Sequence, residues 1–401
     1  MQWDYGEIAQ MRDEFLVFGS PTIGEAEIAE VVDSMRSGWI GTGPKVQRFE
    51  RMLEEYIGAP HVRCVSSCTA ALILGMKVLG VGPGDEVIVP SMTFVASANA
   101  VEHTGARAVL VDSEPDTGLI DLDAAEAAIG PRTKAIMPVH LAGRPIDMDR
   151  VNALRDRHGI AVIEDAAHAL GAEWRGKPIG SHGNLTAYSF YVTKNLTTIE
   201  GGALATDDPE VAAAVERLAL HGLSLGAWQR FGDKGYRHYE VVEPGFKYNM
   251  TDVQAALGLH QLPRLDGWIE QRAELAASYD SLLADLPIAL PPTADPGTKH
   301  AWHLYQVLVD AKASIDRDFL LEHLTRNRIG IGVHYRAVHL HPYYSDRVGP
   351  EALPVATDIS ARTISLPLSP KVTEEDQIDV TAALRSALVP RRPAGAAAAP
   401  A

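Results

Sequence analysis

Cysteine is scarce in this 401-residue chain: only Cys64 and Cys68 occur, four positions apart. Two thiols so close cannot build a disulfide framework, and no second Cys/His pair completes a zinc set. A reducing, cytoplasmic setting is the expectation. Apolar runs are short, and none reaches the roughly 20 residues that cross a bilayer. The opening "MQWDYGEIAQMRDEFLVFG" carries acids early and has no apolar h-region, so a signal peptide is not expected. A basic excess is also missing. Lys and Arg number 36 against 52 Asp and Glu, a formal net charge of −16. That balance argues against a duplex nucleic-acid partner, which selects for a basic face. It leaves room for a small anionic ligand in a locally positive pocket. No internal repeat is found. No G-x-G-x-x-G follows an apolar run, so the nicotinamide-dinucleotide fingerprint is absent.

What is present is an alternation. "HVRCVSS", "DEVIVPSMTF", "RAVLVDSEP", "TKAIMPVHL" and "IAVIEDAAH" read as strands. The stretches between them, such as "TAALILGMKVLGV" and "MDRVNALRDRHG", read as helices. Continuous Val/Ile/Leu strands separated by helices predict an α/β fold, a mostly parallel sheet covered on both faces. Ligands gather at the carboxyl ends of such strands. Here those ends read "SSCT", "PSMTF", "VHLAG" and "EDAAH". The pattern changes near Asp252, where a long helical stretch contains Pro263 and is expected to kink or split. Length alone predicts more than one domain. The expected division is an N-terminal helix and Gly-rich loop over 1–45, a large domain over 46–262 and a smaller α+β domain over 263–390. Residues 391–401, Ala- and Pro-rich, are expected to be disordered.

Three stretches carry candidate chemistry. "AVIEDAAH" ends a buried strand at Glu164 and Asp165. A strand-end acid is often a simple cap for the next helix. It is also what the ring nitrogen of pyridoxal phosphate needs, because a carboxylate keeps that nitrogen protonated and makes the ring an electron sink. "YSFYVTKNLTTIEGG" puts Lys194 directly after an aromatic strand-like run. Most lysines are solvated surface charges. A Schiff-base lysine must instead reach neutrality, through burial or neighbouring charge. "SSCTAAL" opens a helix with small hydroxyl residues, which is either an ordinary cap or an anion site at a helix N-terminus. Ser189 adds a hydroxyl near the lysine, and Phe94 is either core packing or a ring to stack on a planar cofactor.

In combination and in order, "SSCTAAL", "DEVIVPSMTFVAS", "TKAIMPVHLAG", "VIEDAAHALGA", "SFYVTKNLTTIEGG" and "PGFKYNMTDVQAALG" resemble the DegT-type, pyridoxal-phosphate-dependent nucleotide-sugar aminotransferases. The resemblance runs from "SGWIGTGP" to "ISLPLSP". It implies the fold-type-I architecture: a large domain with a seven-stranded, mostly parallel sheet between helices, and a smaller C-terminal α+β domain. It implies pyridoxal 5'-phosphate and its amine form (PLP/PMP) as cofactor. Lys194 matches the lysine that carries the cofactor and shuttles protons. Asp165 matches the partner of the ring nitrogen, His168 the residue beside the phenolic oxygen, and Phe94 the stacking aromatic. Cys68, Thr69 and Ser189 fall at phosphate-binding positions; Cys68 stands where the family commonly has Gly or Ala. Asn249 matches a segment sent across a homodimer interface toward the partner's cofactor, although "GFKYNM" departs from the "GYNYRM" of many relatives.

"SGWIGTGPK", "HAWHLY" and "GIGIGVHYRA" are similar to the UDP-4-amino-4-deoxy-L-arabinose–oxoglutarate aminotransferase branch. This implies amination, from L-glutamate, of the C4 ketone of a UDP- or dTDP-linked sugar. Trp39 and Thr42 of the Gly-rich loop, Lys247, His334 and Tyr335 are the candidate substrate contacts. The histidines of "VHYRAVHLHPYY" match no standard metal spacing, so no metal is expected. "HGLSLGAWQRFGDKGYRHYEVV" is expected to be a mobile loop. Two other readings remain: amination at C3 and a non-catalytic regulator of the same fold. A dehydratase, in which histidine would replace the lysine, is argued against by Lys194.

Overall fold

The computed structural model describes residues 12–224, 238–313 and 315–389. The expected tail and most of the expected mobile loop lie outside the described residues.

Two N-terminal helices, α1 (Glu25–Ser37) and α2 (Pro44–Ile57), are joined by the Gly-rich turn that holds Trp39 and Thr42. The alternation follows: β1 (His61–Val65), α3 (Cys68–Val78), β2 (Glu86–Pro90), α4 (Val95–Glu102), β3 (Arg107–Val111), α5 (Leu122–Ala127), β4 (Thr133–Ile136), α6 (Met148–His158) and β5 (Ala161–Asp165). A short hairpin, β6 (Glu173–Trp174) with β7 (Lys177–Pro178), precedes β8 (Leu185–Ser189), β9 (Gly202–Thr206) and α7 (Pro209–Ala219). Several helices start on a side chain that accepts a backbone N–H of their first turn. Ser67 does this for α3, Asp121 for α5, Asp147 for α6 and Asp208 for α7.

Seven strands form one sheet in the order β1-β9-β8-β5-β4-β2-β3. The run β8-β5-β4-β2-β3 is parallel, and β9 lies antiparallel between β8 and β1. The expected mostly parallel, seven-stranded sheet is therefore present, with "GALAT" as its one reversed strand. Val87, Ile88, Val162 and Ile163 are buried. Separate apolar clusters cover the two faces of the sheet.

Beyond the sheet, α8 (Asp252–Gln261) and α9 (Leu265–Leu283) are separated by a 3-10 turn at Leu262–Arg264. Pro263 sits in that turn, so the long helical stretch splits where its missing N–H would break the ladder. The C-terminal part is α+β. A three-stranded antiparallel sheet, β10 (Ile288–Ala289), β11 (Tyr305–Val309) and β12 (Thr363–Leu366), packs with α10 (Arg317–Arg326) and α13 (Glu374–Leu388) around a third apolar cluster, while α11 (Pro342–Ser345) and α12 (Pro354–Arg362) set Tyr344, Ala356 and Ile359 into the cluster on one face of the large sheet.

The apolar stripe of α1 faces outward: Ile28 is 47% and Met35 60% exposed, while Glu27 and Ser34 are buried. At the start of β9, a Cβ on Gly202 would fall 2.5 Å from the Cys68 nitrogen. Glycine there lets the first turn of α3 lie directly on the sheet.

Candidate active site

The parallel strands end at one edge, and a cavity of about 430 Å³ opens there. It is lined by Lys194, Asp165, His168, Ser189, Cys68, Thr69, Phe94, His334 and Tyr335 together. Residues scattered over 268 positions of sequence thus meet around one space.

Strand pleating separates the two acids of "VIED". Glu164 turns to the far face, where its carboxylate lies 3.0 Å from His140 Nε2 and accepts from Asn184 Nδ2 at 2.9 Å. Asp165 turns into the cavity. Its Oδ2 accepts from Ser97 Oγ at 2.7 Å, and its Oδ1 accepts from the Ala167 N–H at 3.1 Å. The Cys68 thiol lies 3.9 Å from Oδ1. Ser97 has spent its proton on Asp165, so Thr93, 2.8 Å from Ser97 Oγ, is the donor in that pair. The hydrogen-bonding partners of Asp165 are all neutral. Taking an ion out of water costs several kcal/mol, and each hydrogen bond to a charged group returns about 1.5–3. A cation in the cavity would complete the balance.

Lys194 follows β8 on a turn closed by its N–H to the Tyr191 carbonyl at 2.9 Å. The side chain is half-buried and lines the cavity. Burial lowers its amine from the ordinary 10.5 to about 8, against the opposing pull of Cys68 and Asp165. Burial pushes His168 well below the usual imidazole range, with Lys194 and His334 adding to the effect. His168 Nδ1 accepts from the Ala142 N–H at 3.1 Å, and Nε2 lies 3.0 Å from the Tyr335 hydroxyl.

The first turn of α3 forms another wall. Ser67 Oγ is occupied by the Ala70 N–H at 3.1 Å, which leaves the Thr69 hydroxyl and the Cys68 and Thr69 N–H groups as donors for an anion. Burial and Asp165 both push the Cys68 thiol up, so it stays neutral.

These groups fit pyridoxal phosphate. Asp165 suits a ring N–H⁺, Lys194 an aldehyde, and the α3 turn with Ser189 a phosphate. Gly202 keeps that turn seated on the sheet, and Phe94 stands exposed on the cavity wall.

Four candidates gather elsewhere. Asn249 Nδ2 donates to Thr42 Oγ1 at 2.6 Å, Lys247 Nζ to Asn249 Oδ1 at 2.5 Å, and Trp39 Nε1 to the Thr42 carbonyl at 3.3 Å. Thr42 and Asn249 line a second cavity of about 330 Å³ beside β1, with Glu50 and Arg63. None of the four borders the Lys194 cavity of its own chain. The histidines of "VHYRAVHLHPYY" also part company. His334 enters the cavity, whereas His339 lies 2.6 Å from Ser91 Oγ and 2.9 Å from Thr357 Oγ1.

Sequence reading missed Thr93, Ser97 and His303. The first two stand four apart at the start of α4, one helical turn, which was the available signal. His303 comes from the C-terminal part and lies tilted against the His168 ring, with centroids 4.4 Å apart, a contact with no local signature.

Comparison with known proteins identifies the family of the chain. The model of the DegT/DnrJ/EryC1/StrS aminotransferase family matches residues 21–385. The spore coat polysaccharide biosynthesis protein SpsC of Bacillus subtilis is 46% identical over 382 residues, covering 94% of this chain and 98% of SpsC. A putative sugar aminotransferase from Streptococcus pneumoniae, solved in its PMP form, superposes with a TM-score of 0.88 at 36% identity, over 93% of this chain and 98% of that one. The same protein in its PLP form gives 0.86. DesV of S. venezuelae, solved with a ketimine intermediate, gives 0.82 at 38% identity, over 90% and 93% of the two chains.

The depressed lysine gives a direct prediction. In cofactor-free protein, pH-dependent acylation followed by peptide mass analysis should give half-maximal labelling of Lys194 at pH about 8. Solvated lysines should reach that point near 10.4. A Lys194 that labels like the rest would remove the electrostatic basis of the site.

Proposed function

Because the chain belongs to the DegT/DnrJ/EryC1/StrS aminotransferase family, and is a PLP-dependent sugar aminotransferase, we propose that it moves an amino group from L-glutamate to the C4 ketone of a nucleotide-linked keto sugar. One observation carries the reading. Asp165, hydrogen-bonded only to neutral groups, and Lys194, whose amine is lowered to about 8, line one cavity with an anion-binding helix start.

Pyridoxal phosphate supplies an electron sink for the carbon that loses or gains a proton. Asp165 would hold the ring nitrogen protonated. The Cys68 and Thr69 N–H groups, with the Thr69 and Ser189 hydroxyls, would hold the phosphate, and Phe94 would cover a ring face. Lys194, its amine lowered to about 8, would serve as the base that takes the α-proton of glutamate and as the acid that supplies a proton when the sugar is aminated. The cavity walls and the Phe94 side chain limit water around that proton. Its remaining wall, with His303, His334, Tyr335 and the half-exposed Tyr191, offers polar and aromatic contacts suited to a sugar ring.

A homodimer with shared sites belongs to the same proposal. The outward stripe Ile28, Val32 and Met35 of α1, and Val241 and Val242 near the end of the chain segment before Asn249, expose apolar surface. The Trp39, Thr42, Lys247 and Asn249 cluster does not line the Lys194 cavity of its own chain, and it would serve a partner's. Two buried, unpaired cysteines are consistent with a cytoplasmic enzyme, and no helix among the described residues is long and apolar enough to cross a membrane.

With PLP bound, L-glutamate should bleach the visible cofactor band and release one 2-oxoglutarate per site, and Lys194→Ala should lower turnover by roughly 10²–10⁴-fold. A band indifferent to glutamate would favour the non-catalytic regulator. Assayed on paired substrates, a 4-keto nucleotide sugar should be aminated in preference to its 3-keto isomer, and the reverse preference would overturn the C4 assignment. For the shared sites, Lys194→Ala and Asn249→Ala subunits can be mixed and reannealed. A hybrid keeps one site with both native residues, so activity should exceed the sum of the two variants alone. No gain on mixing would mean that each chain completes its own site.

A further inference from the structure

The turn that carries Lys194 is held to the rest of the protein at one point. The Lys194 N–H donates to the Tyr191 carbonyl, and the Tyr191 N–H to Ser189 Oγ at the end of β8. Of residues 191–195, only Asn195 hydrogen-bonds to a distant part of the described chain. Its Nδ2 donates to the Ala301 carbonyl at 2.6 Å, and its Oδ1 lies 3.3 Å from His303 Nδ1. A carbonyl accepts only from a donor, so the Ala301 contact fixes which way the amide faces. Oδ1 then meets His303, and Nδ1 carries the proton of that pair. Asn195 is 8% exposed, so losing its amide leaves a buried carbonyl unpaired.

The segment it grips is itself fixed. The Ala301 N–H donates to the Gly143 carbonyl at 2.9 Å, and the His303 and Leu304 N–H groups donate to the Ala142 carbonyl at 2.9 and 3.2 Å. From α9, the Arg272 guanidinium donates to the Trp302, His303 and Leu368 carbonyls at 3.3, 3.4 and 2.6 Å. Between Ala301 and His303 the chain turns at Trp302 through the left-handed region, φ 45°. The Ala301 carbonyl and the His303 ring thereby meet the same amide.

We propose that Asn195 is the positioning residue for Lys194: its amide ties the lysine turn to Ala301 and His303 and so sets how deep the amine sits in the cavity. The inference rests on the reading of Lys194 as the reacting amine given above. Depth matters because burial, not a neighbouring cation, lowers this amine. Asp165 at the end of β5 and Cys68 on α3 pull it the other way. His168, His303 and His334 are each pushed below the usual imidazole range by burial, so they bring no cation at neutral pH. Glu200, Tyr191 and Tyr335 complete the titratable wall and add no positive charge. A turn free to move outward gives up that burial, and the ammonium then forms more readily.

The test is the pH dependence of Lys194 acylation in cofactor-free protein, read by peptide mass analysis in the wild type, Asn195→Ala, Asn195→Ser and Tyr344→Phe. Tyr344→Phe removes a hydrogen bond to Asn99 Oδ1, 2.7 Å long, between α11 and α4, and touches no residue of the lysine turn. The wild-type midpoint is expected at about 8. In Asn195→Ala it should rise by about one pH unit, toward the value near 10.4 of a solvated lysine. Asn195→Ser, whose hydroxyl falls short of both partners, should do the same, and Tyr344→Phe should leave the midpoint in place. An unchanged midpoint in whichever Asn195 variant folds overturns the inference. So does an equal shift in Tyr344→Phe, which would mean general loosening. A wild-type Lys194 that labels like the other lysines would instead overturn the lysine reading, and this inference with it.

Discussion

A carboxylate withdrawn from water at the end of a central strand organises this protein. Asp165 is 5% exposed, and its hydrogen bonds come from a serine hydroxyl and a backbone N–H, with a thiol 3.9 Å away. None of these carries charge. The carboxylate faces a cavity in which Lys194 is the nearby cationic side chain. Ser97 holds the carboxylate from α4 and is itself bonded to Thr93, just before that helix; the Cys68 thiol approaches from α3, and Lys194 shares the cavity.

The sheet makes the meeting possible. Parallel strands deliver Asp165, Ser189 and the segment leading to Phe94 at one edge. The reversed strand β9 brings Gly202 under α3, where any side chain would push the helix start off the sheet. Burial then lowers the Lys194 amine to about 8, so a neutral base is available without a strong neighbouring cation. The C-terminal part contributes His303, His334 and Tyr335 to the wall of the same cavity.

Much of this was legible in the amino-acid sequence. Asp165, Lys194 and the "SSCT" turn stood out because polar residues interrupt apolar runs at the ends where parallel sheets bind ligands. Pro263 announced the break between α8 and α9. Other features left no local trace. "GALAT" consists of small residues that carry no sign of strand direction, so the antiparallel β9 could not be read. The outward stripe of α1 has the spacing of a core-facing helix, and only packing reveals that Glu27 and Ser34 are the buried side. His168 was legible as a candidate site residue, but its tie to the Ala142 N–H is a tertiary contact. Asn249 and Lys247 matched a family segment, and the structure groups them with Thr42 away from the cavity of their own chain.

The account stands on the pairing of one lysine with one cofactor. Its most direct test is borohydride reduction of the holoenzyme, followed by proteolysis and mass mapping. Reduction should fix the pyridoxyl group to Lys194 and to no other lysine. A label on a different lysine, or none at all, would contradict it.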